Sequence, residues 1–419
     1  MESNTQLKEM IRSMVIDILQ GQKQEMASSQ PIKQAPRGQV EPGVFDTVDE
    51  AIQAAKAAQA RFEDCTLATR EKVIADIRAA MRPRVQELAQ KTVDETGMGR
   101  VADKVLKLNL TLNKTPGVED LVTECETGDN GMTLYELSAY GVIGAITPST
   151  NPAETLICNS IGMLAAGNAI FFSVHPGAKN LSRELVSELN QVIAKSIGIE
   201  NLIVTLREPS IESAQEMMLH PDVSLLVVTG GPGVVKQALQ SGKKVIGAGA
   251  GNPPAFVDET ADIKKAAQDI VLGASLDNNI LCIAEKSVVA MRQIEPQLVQ
   301  EMVKAGCILV ENQQDIQRLV DLTVLPNGTP NKKFVGKNAS VILDAAHIPY
   351  NGDPRLIIMR TPKNHPFAVI EMLMPILPVV TVDSFDEGLD VCLMLEAGLH
   401  HTATMHSLNM ERLNRMARK

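Results

Sequence analysis

The 419-residue sequence has no tryptophan and only three tyrosines and eight phenylalanines. A core built without aromatic bulk must be aliphatic, and the 19 methionines suit it as adaptable gap-fillers. Cysteine is sparse and scattered: Cys65, Cys125, Cys158, Cys282, Cys307 and Cys392 include no Cys-x-x-Cys pair and no zinc-like spacing with histidine. No metal site is expected. Neither a secretory leader nor an apolar run of membrane-spanning length is visible, so the expectation is a reduced, cytoplasmic protein. Positive charge is in deficit, with 40 Lys and Arg against 50 Asp and Glu and a net charge of −10. With no basic patch interleaved with aromatics, that balance argues against a nucleic-acid partner. The length allows about two or three domains with ample core.

What is present divides into distinct stretches. Leu7, Met10, Ile11, Met14, Val15 and Ile18 recur at helical spacing and predict a short amphipathic helix over 1–19. Residues 20–43, rich in Gln with Pro31, Pro36 and Pro42, read as a flexible linker. An apolar stripe on a tether has no core of its own to cover. It docks on another protein, packs back on its own domain or frays; its mixed polar face disfavours a membrane surface. The globular part starts near Val44, where Thr47-Val-Asp-Glu50 forms a capping-box pattern before an Ala-rich helix. A second helical stretch over 68–95 is interrupted at Pro83 and closed by Gly97. Asp129-Asn-Gly131 signals a turn, so a β-hairpin arm is expected at about 121–140.

From Gly141 the rhythm becomes βαβ, which predicts a parallel, doubly wound sheet. Such sheets bind ligands at the carboxyl ends of their strands. Three loops fall there: Thr147-Pro-Ser-Thr-Asn-Pro152, Val174-His-Pro-Gly-Ala178 and Thr229-Gly-Gly-Pro-Gly233. The last could offer N–H groups and a helix N-terminus to a phosphate, or be a plain β–α turn. Lys243-Lys-Val-Ile-Gly-Ala-Gly-Ala-Gly-Asn252 is too glycine-rich for an ordinary strand and reads as a close backbone approach to a ligand or as a loop. The segment Ser275-Leu-Asp-Asn-Asn-Ile-Leu-Cys-Ile-Ala-Glu-Lys286 sets Cys282 between a helical run and a strand. A thiol at such a junction, with free N–H groups beside it, suits a nucleophile. A buried cysteine acting as a small hydrophobe fits the same pattern. The His400-His401 pair lacks a carboxylate or cysteine at ligand spacing and is not read as a metal site.

In order, these pieces resemble one superfamily over essentially the whole chain, the aldehyde dehydrogenases. Within it the wording is similar to the CoA-acylating enzymes of bacterial microcompartments, of the propanediol- and ethanolamine-utilisation types. Asn278-Asn-Ile-Leu-Cys-Ile-Ala-Glu-Lys286 is the most specific part. His175-Pro-Gly-Ala-Lys179 and Asn331-Lys-Lys-Phe-Val-Gly336 look closer to the propionaldehyde type. The resemblance implies an α/β fold: a Rossmann-like NAD-binding domain over 44–258 with the hairpin as oligomerisation arm, and an α/β catalytic domain over 259–419.

It also implies site residues. Cys282 matches the nucleophile, and Asn151 the amide that completes the oxyanion hole. Thr147, Pro148, Ser149, His175, Pro176, Thr229, Gly230, Gly231 and Gly233 match cofactor-contacting loops, with Gly249 in the glycine-rich stretch. Glu371 matches the glutamate that holds the nicotinamide ribose. Two departures are informative. Hydrolytic members carry a water-activating glutamate where this chain reads Gly247-Ala-Gly-Ala-Gly-Asn252, so a thiol, that of coenzyme A, is the expected acyl acceptor. His175 replaces a lysine that often meets the adenosine ribose or a 2′-phosphate, which leans towards NAD over NADP. The helix over 1–19 resembles an encapsulation peptide, implying a shell protein or cargo partner and the microcompartment lumen. A homo-oligomer, dimer or tetramer, is implied as well. Family members continue past the position of Lys419 with a Gly-Gly-Glu-Gly segment and an oligomer-pairing strand. The expectation is therefore either a trimmed enzyme or a chain unable to complete its oligomer.

Overall fold

The computed structural model describes residues 41–419. The helix expected over 1–19 and nearly all of the linker lie outside the described residues.

Short apolar runs build two parallel sheets. The strands in chain order are β1 (Val44–Phe45), β2 (Glu124–Gly128), β3 (Gly131–Tyr135), β4 (Val142–Ile146), β5 (Ala169–Ser173), β6 (Ile203–Leu206) and β7 (Val223–Thr229). There follow β8 (Lys244–Ala248), β9 (Pro254–Val257), β10 (Ser287–Met291), β11 (Cys307–Leu309), β12 (Leu356–Arg360), β13 (Ile376–Val382) and β14 (Thr404–His406). The first sheet has the order β1-β6-β5-β4-β7-β8, the second β11-β12-β13-β10-β9-β14. Every pairing in both is parallel. Strands β4, β5 and β10 are buried along their whole length, as unbroken apolar runs require when helices cover both faces. The first sheet ends with β8 at Ala248, and β9, from Pro254, belongs to the second sheet, where it pairs with β10 and β14.

Helix punctuation follows the sequence closely. Leu67–Met81 passes through a 3-10 turn containing Pro83 into Val85–Thr96, which ends on left-handed Gly97. The hairpin β2–β3 pairs antiparallel and stands wholly exposed. One expectation fails in part: the first half of the glycine-rich stretch is a strand, β8, pairing with β7 from Leu225↔Lys244 to Thr229↔Ala248, whereas Gly249–Asn252 lies outside any strand. Strand β8 tolerates glycine because it is the sheet's edge and lies under the helix Pro232–Leu239. A Cβ at Gly247 would come within 3.1 Å of the Val235 side chain.

Candidate active site

Helix Ile263–Ser275 ends in a 3-10 turn, Leu276–Asn279, and the chain then passes Cys282 before entering β10. Asp277, Asn278 and Asn279 hold successive φ values of 49°, 55° and 64°. Left-handed backbone costs a non-glycine residue on the order of 1 kcal/mol or more, and Asx residues accept it best. The surrounding hydrogen bonds over-determine it. Asp277 receives the Arg100 N–H at 2.9 Å and donates its own N–H to Asp103 at 2.9 Å. Asn278 donates to the Gly336 carbonyl and to Asn338, both at 2.8 Å, and Asn279 to the carbonyls of Ala274 and Glu285. All three side chains are buried. The turn that presents Cys282 is thus rigid.

Cys282 is half-buried. Burial, then the Glu371 charge, push its thiol pKa up; Lys286 and the N–H groups of Cys282 and Ile283 pull the other way. Lys286 is buried and donates to the carbonyls of Asn279 and Leu281 at 3.0 and 2.7 Å. Burial lowers its pKa to about 8, against the pull of Glu371, Cys282 and Glu285. Glu371 is raised by burial and lowered by Lys286 and the Gly251 N–H. A nucleophile, a carboxylate and a buried ammonium therefore share one electrostatic environment. Gly251 closes it: a Cβ there would lie 2.9 Å from the Cys282 carbonyl oxygen and 2.9 Å from the His401 ring. The Gly247–Asn252 segment passes beside the nucleophile and brings no carboxylate.

Asn151 precedes helix Pro152–Ala165 and accepts a hydrogen bond from the Lys107 ammonium on its side-chain oxygen. Lys107 also pairs with Asp277, in the loop leading to Cys282. That salt bridge links the two residues expected to make the oxyanion hole.

The remaining site residues lie at the carboxyl edge of the first sheet. The chain runs β4, β5, β6 outward on one side and returns to place β7 on the other side of β4, so the switch point lies between β4 and β7. Thr147, Pro148 and Ser149 leave β4 there, His175 and Pro176 leave β5, Thr229 ends β7, and Gly230, Gly231 and Gly233 lead into the next helix. The edge fits a dinucleotide. Among the described residues, a Cβ at Gly231, Gly233 or Gly249 would meet nothing within 4 Å, and Gly231 begins helix Pro232–Leu239 with no side-chain cap. Thr147 is buried, and its hydroxyl has no hydrogen-bond partner among the described residues. His175 is exposed as a residue, yet burial of its ring and then the Lys332 charge lower its pKa; its Nδ1 accepts the Gly177 N–H at 3.0 Å. His365 similarly caps Phe367.

Sequence reasoning missed Lys104, Lys107 and Lys286, and set aside His401, whose ring packs on Gly251 beside Cys282. The signal for Lys286 was within reach: a lysine in a stretch that enters a buried strand must find buried acceptors.

Comparison with known proteins gives a family and close relatives. Residues 18–419 match the model described as the aldehyde dehydrogenase family. Propanal dehydrogenase (CoA-propanoylating) of Salmonella typhimurium is 50% identical over 377 residues, covering 90% of this chain and 81% of that protein. Propionaldehyde dehydrogenase of Rhodopseudomonas palustris, solved with bound CoA and an acylated cysteine, superposes with a TM-score of 0.88 at 46% identity, covering 90% of this chain and 87% of that one. An engineered glycolyl-CoA reductase with bound NADP+ matches at 0.88 and 46%, covering 91% and 87%. A propionaldehyde dehydrogenase from the fucose-utilisation microcompartment of Clostridium phytofermentans matches at 0.88 and 45%, covering 90% and 87%.

Proposed function

Because the chain belongs to the aldehyde dehydrogenase family, we propose that it oxidises a short aldehyde, propionaldehyde or acetaldehyde, to the acyl-CoA with NAD+. Relatives whose names specify CoA-propanoylation, or that hold CoA beside an acylated cysteine, support this reading. The observation that carries it is the contact at Gly251: the Gly247–Asn252 segment packed beside Cys282 carries no acid for a deacylating water.

The Cys282 thiolate adds to the aldehyde carbon, and the Asn151 amide with the Cys282 N–H holds the resulting oxyanion. Thr147, Ser149, His175 and the Thr229–Gly233 loop along the β4–β7 edge, together with Glu371, would hold NAD+, which would supply the hydride acceptor. As the oxyanion collapses to a carbonyl, the C–H bond of the former aldehyde breaks and its hydride would pass to the nicotinamide ring, which leaves the acyl group on Cys282 as a thioester. The CoA thiolate attacks that acyl carbon and Cys282 departs as thiolate, to be used again. A thioester exchanges for a thioester, so the reaction runs in both directions.

Hydrolysis to the free acid has one observation in its favour: Glu371 is a carboxylate of raised pKa in the same environment as Cys282. NADH formation with propionaldehyde, with and without CoA, beside Cys282→Ala, separates the two. A rate that needs both CoA and Cys282 supports acylation; CoA-independent turnover to propionate overturns it. The first sheet serves as the cofactor domain and the second as the catalytic one. The exposed hairpin, with Met132, Leu134 and Tyr135 bare, is the oligomerisation arm. The stretch over 1–19 directs the enzyme to a shell protein in a microcompartment, by analogy with the fucose-utilisation relative. Fusion of residues 1–43 to a fluorescent protein tests that targeting in microcompartment-forming cells; diffuse fluorescence refutes it.

A further inference from the structure

Helix Val101–Lys114 turns a charged face inward. Lys104 and Lys107 are 0% and 7% exposed, whereas Leu106 and Leu110 on the same helix are 61% and 60% exposed. The two ammonium groups reach two loops. Lys104 donates to the Thr150 carbonyl and pairs with Asp277 at 2.9 Å. Lys107 donates to the Asn151 side-chain oxygen, pairs with Asp277 and lies 3.5 Å from Glu154 at the start of helix Pro152–Ala165. Asp277 is anchored from the same helix by the Arg100 N–H, and Asp103 accepts both the Asp277 N–H and Arg355 at 2.7 Å.

The chemistry of these contacts fixes an orientation. An ammonium has only donors, so the Asn151 atom facing Lys107 must be its oxygen. The amide nitrogen then points away from Lys107 and keeps one long contact, to the Thr150 hydroxyl at 3.4 Å, which leaves an N–H free. A flipped amide would set its own N–H groups against the ammonium. Without Lys107 both orientations are open, and one of them aims an oxygen at a developing oxyanion. Burial opposes the Lys107 charge, but Glu154 and Asp277 outweigh it and raise its pKa, so the donor stays protonated.

We propose that Lys107 is the positioning residue of the oxyanion hole: it holds Asn151 by its oxygen, so that only N–H faces the reacting carbonyl, and ties that amide through Asp277 to the loop bearing Cys282. The proposal rests on the reading of Asn151 as the oxyanion donor. A mere counter-ion for Asp277 would also be buried and paired, so the test must separate positioning from stability.

Steady-state NADH formation is measured with propionaldehyde, NAD+ and CoA for Lys107→Met, Lys107→Arg, Asn151→Ala and the K107M/N151A pair, alongside iodoacetamide labelling of Cys282, which needs a thiolate but no oxyanion hole. Asn151→Ala loses about 10²–10³ in kcat. Lys107→Met loses roughly 10–100-fold in kcat with the aldehyde KM within about twofold of wild type, and Lys107→Arg recovers part of the loss. The double variant is no slower than Asn151→Ala, because Lys107 acts through Asn151. Labelling stays within about threefold of wild type, which shows the Cys282 loop in place. Wild-type kcat in Lys107→Met, losses that multiply in the double variant, or a matching loss of labelling overturns the proposal. Full activity in Asn151→Ala instead sinks the underlying reading of Asn151, and this one with it. Should Lys107→Met fail to fold by leaving Asp277 short of a cation, the same comparisons are made in K107M/D277N, where the lost charges balance.

Discussion

Gly251→Ala is the sharpest test of how the nucleophile is held. The added methyl would stand 2.9 Å from the Cys282 carbonyl oxygen and 2.9 Å from His401 Cγ. Carbon normally stops about 3.3 Å from a carbonyl oxygen, so one neighbour or both must yield by roughly 0.4 Å. His401 has little freedom: its N–H is held by Glu396 at 2.9 Å and its Nδ1 contacts the Thr402 hydroxyl at 2.9 Å. The Cys282 loop is pinned as well, since Lys286 Nζ grips the carbonyls of Asn279 and Leu281. Overpacking of this kind costs about 1–3 kcal/mol. A displacement near half an ångström at the reacting group corresponds to roughly a tenfold loss of rate, taking about 10² for a full ångström. CoA-dependent NADH formation should therefore fall about tenfold in kcat with the KM for NAD+ unchanged, and thermal scanning should show a Tm lower by a few degrees. Wild-type kcat together with a wild-type Tm would refute the claim that backbone closeness at Gly251 sets the position of Cys282.

Gly249→Ala makes the contrast, since its Cβ meets no atom of the described residues: the fold is untouched, the KM for NAD+ rises and kcat holds, and an unchanged KM removes Gly249 from the cofactor edge. Thr147→Val deletes a buried hydroxyl with no partner among the described residues, so melting of the apoprotein is unharmed while NAD+ binding by titration calorimetry weakens; equal affinity counts against the hydroxyl facing the cofactor. Burial and Glu371 raise the Cys282 thiol pKa, so iodoacetamide labelling of cofactor-free enzyme keeps accelerating above pH 9.0, and Glu371→Gln shifts that profile to lower pH; a plateau at neutral pH contradicts this. Lys286 falls from 10.5 to about 8, so in that window the unfolded state binds more protons and stability rises with pH. At about 1.4 kcal/mol per pKa unit the rise is on the order of 3 kcal/mol. In urea melts the stability gap between wild type and Lys286→Met should widen from pH 7.5 to 10, and a constant gap rejects the shift.

The sequence foretold whatever depends on unbroken apolar runs and punctuation. Val142–Ile146 and Ala169–Ser173 are strands because nothing polar interrupts them, and Pro83 with Gly97 breaks and ends helices as their backbones require. Cys282 was found because it sits between a periodic helix and a strand. Strand β8 was hard to read because the glycines that follow Ala248 make the whole stretch look irregular, although only Gly247 lies within the strand, where a Cβ would come within 3.1 Å of Val235. The turn Asp277–Asn279 looked merely polar. Its left-handed backbone is fixed by Gly336, Asn338, Ala274 and Arg100, all but one remote in sequence.

Helix Val101–Lys114 shows the deeper limit. Amphipathic reasoning assigns leucine inward and lysine outward, and here that rule inverts at Lys104, Leu106, Lys107 and Leu110. A buried lysine is expensive alone, and each here is tolerable only because Asp277 and Glu154 arrive from other segments. Periodicity carries no record of such partners. A folded chain keeps a desolvated network of this kind only where something offsets its cost, and replacing it with apolar residues is often neutral or stabilising. That gives a last prediction. Converting Lys104, Lys107, Asp277 and Glu154 together to Met, Met, Asn and Gln should leave Tm within a few degrees of wild type, while CoA-dependent turnover falls at least tenfold. A variant that melts far lower but, when folded, turns over normally would mean the charges serve stability, and the link from this helix to the nucleophile would be lost.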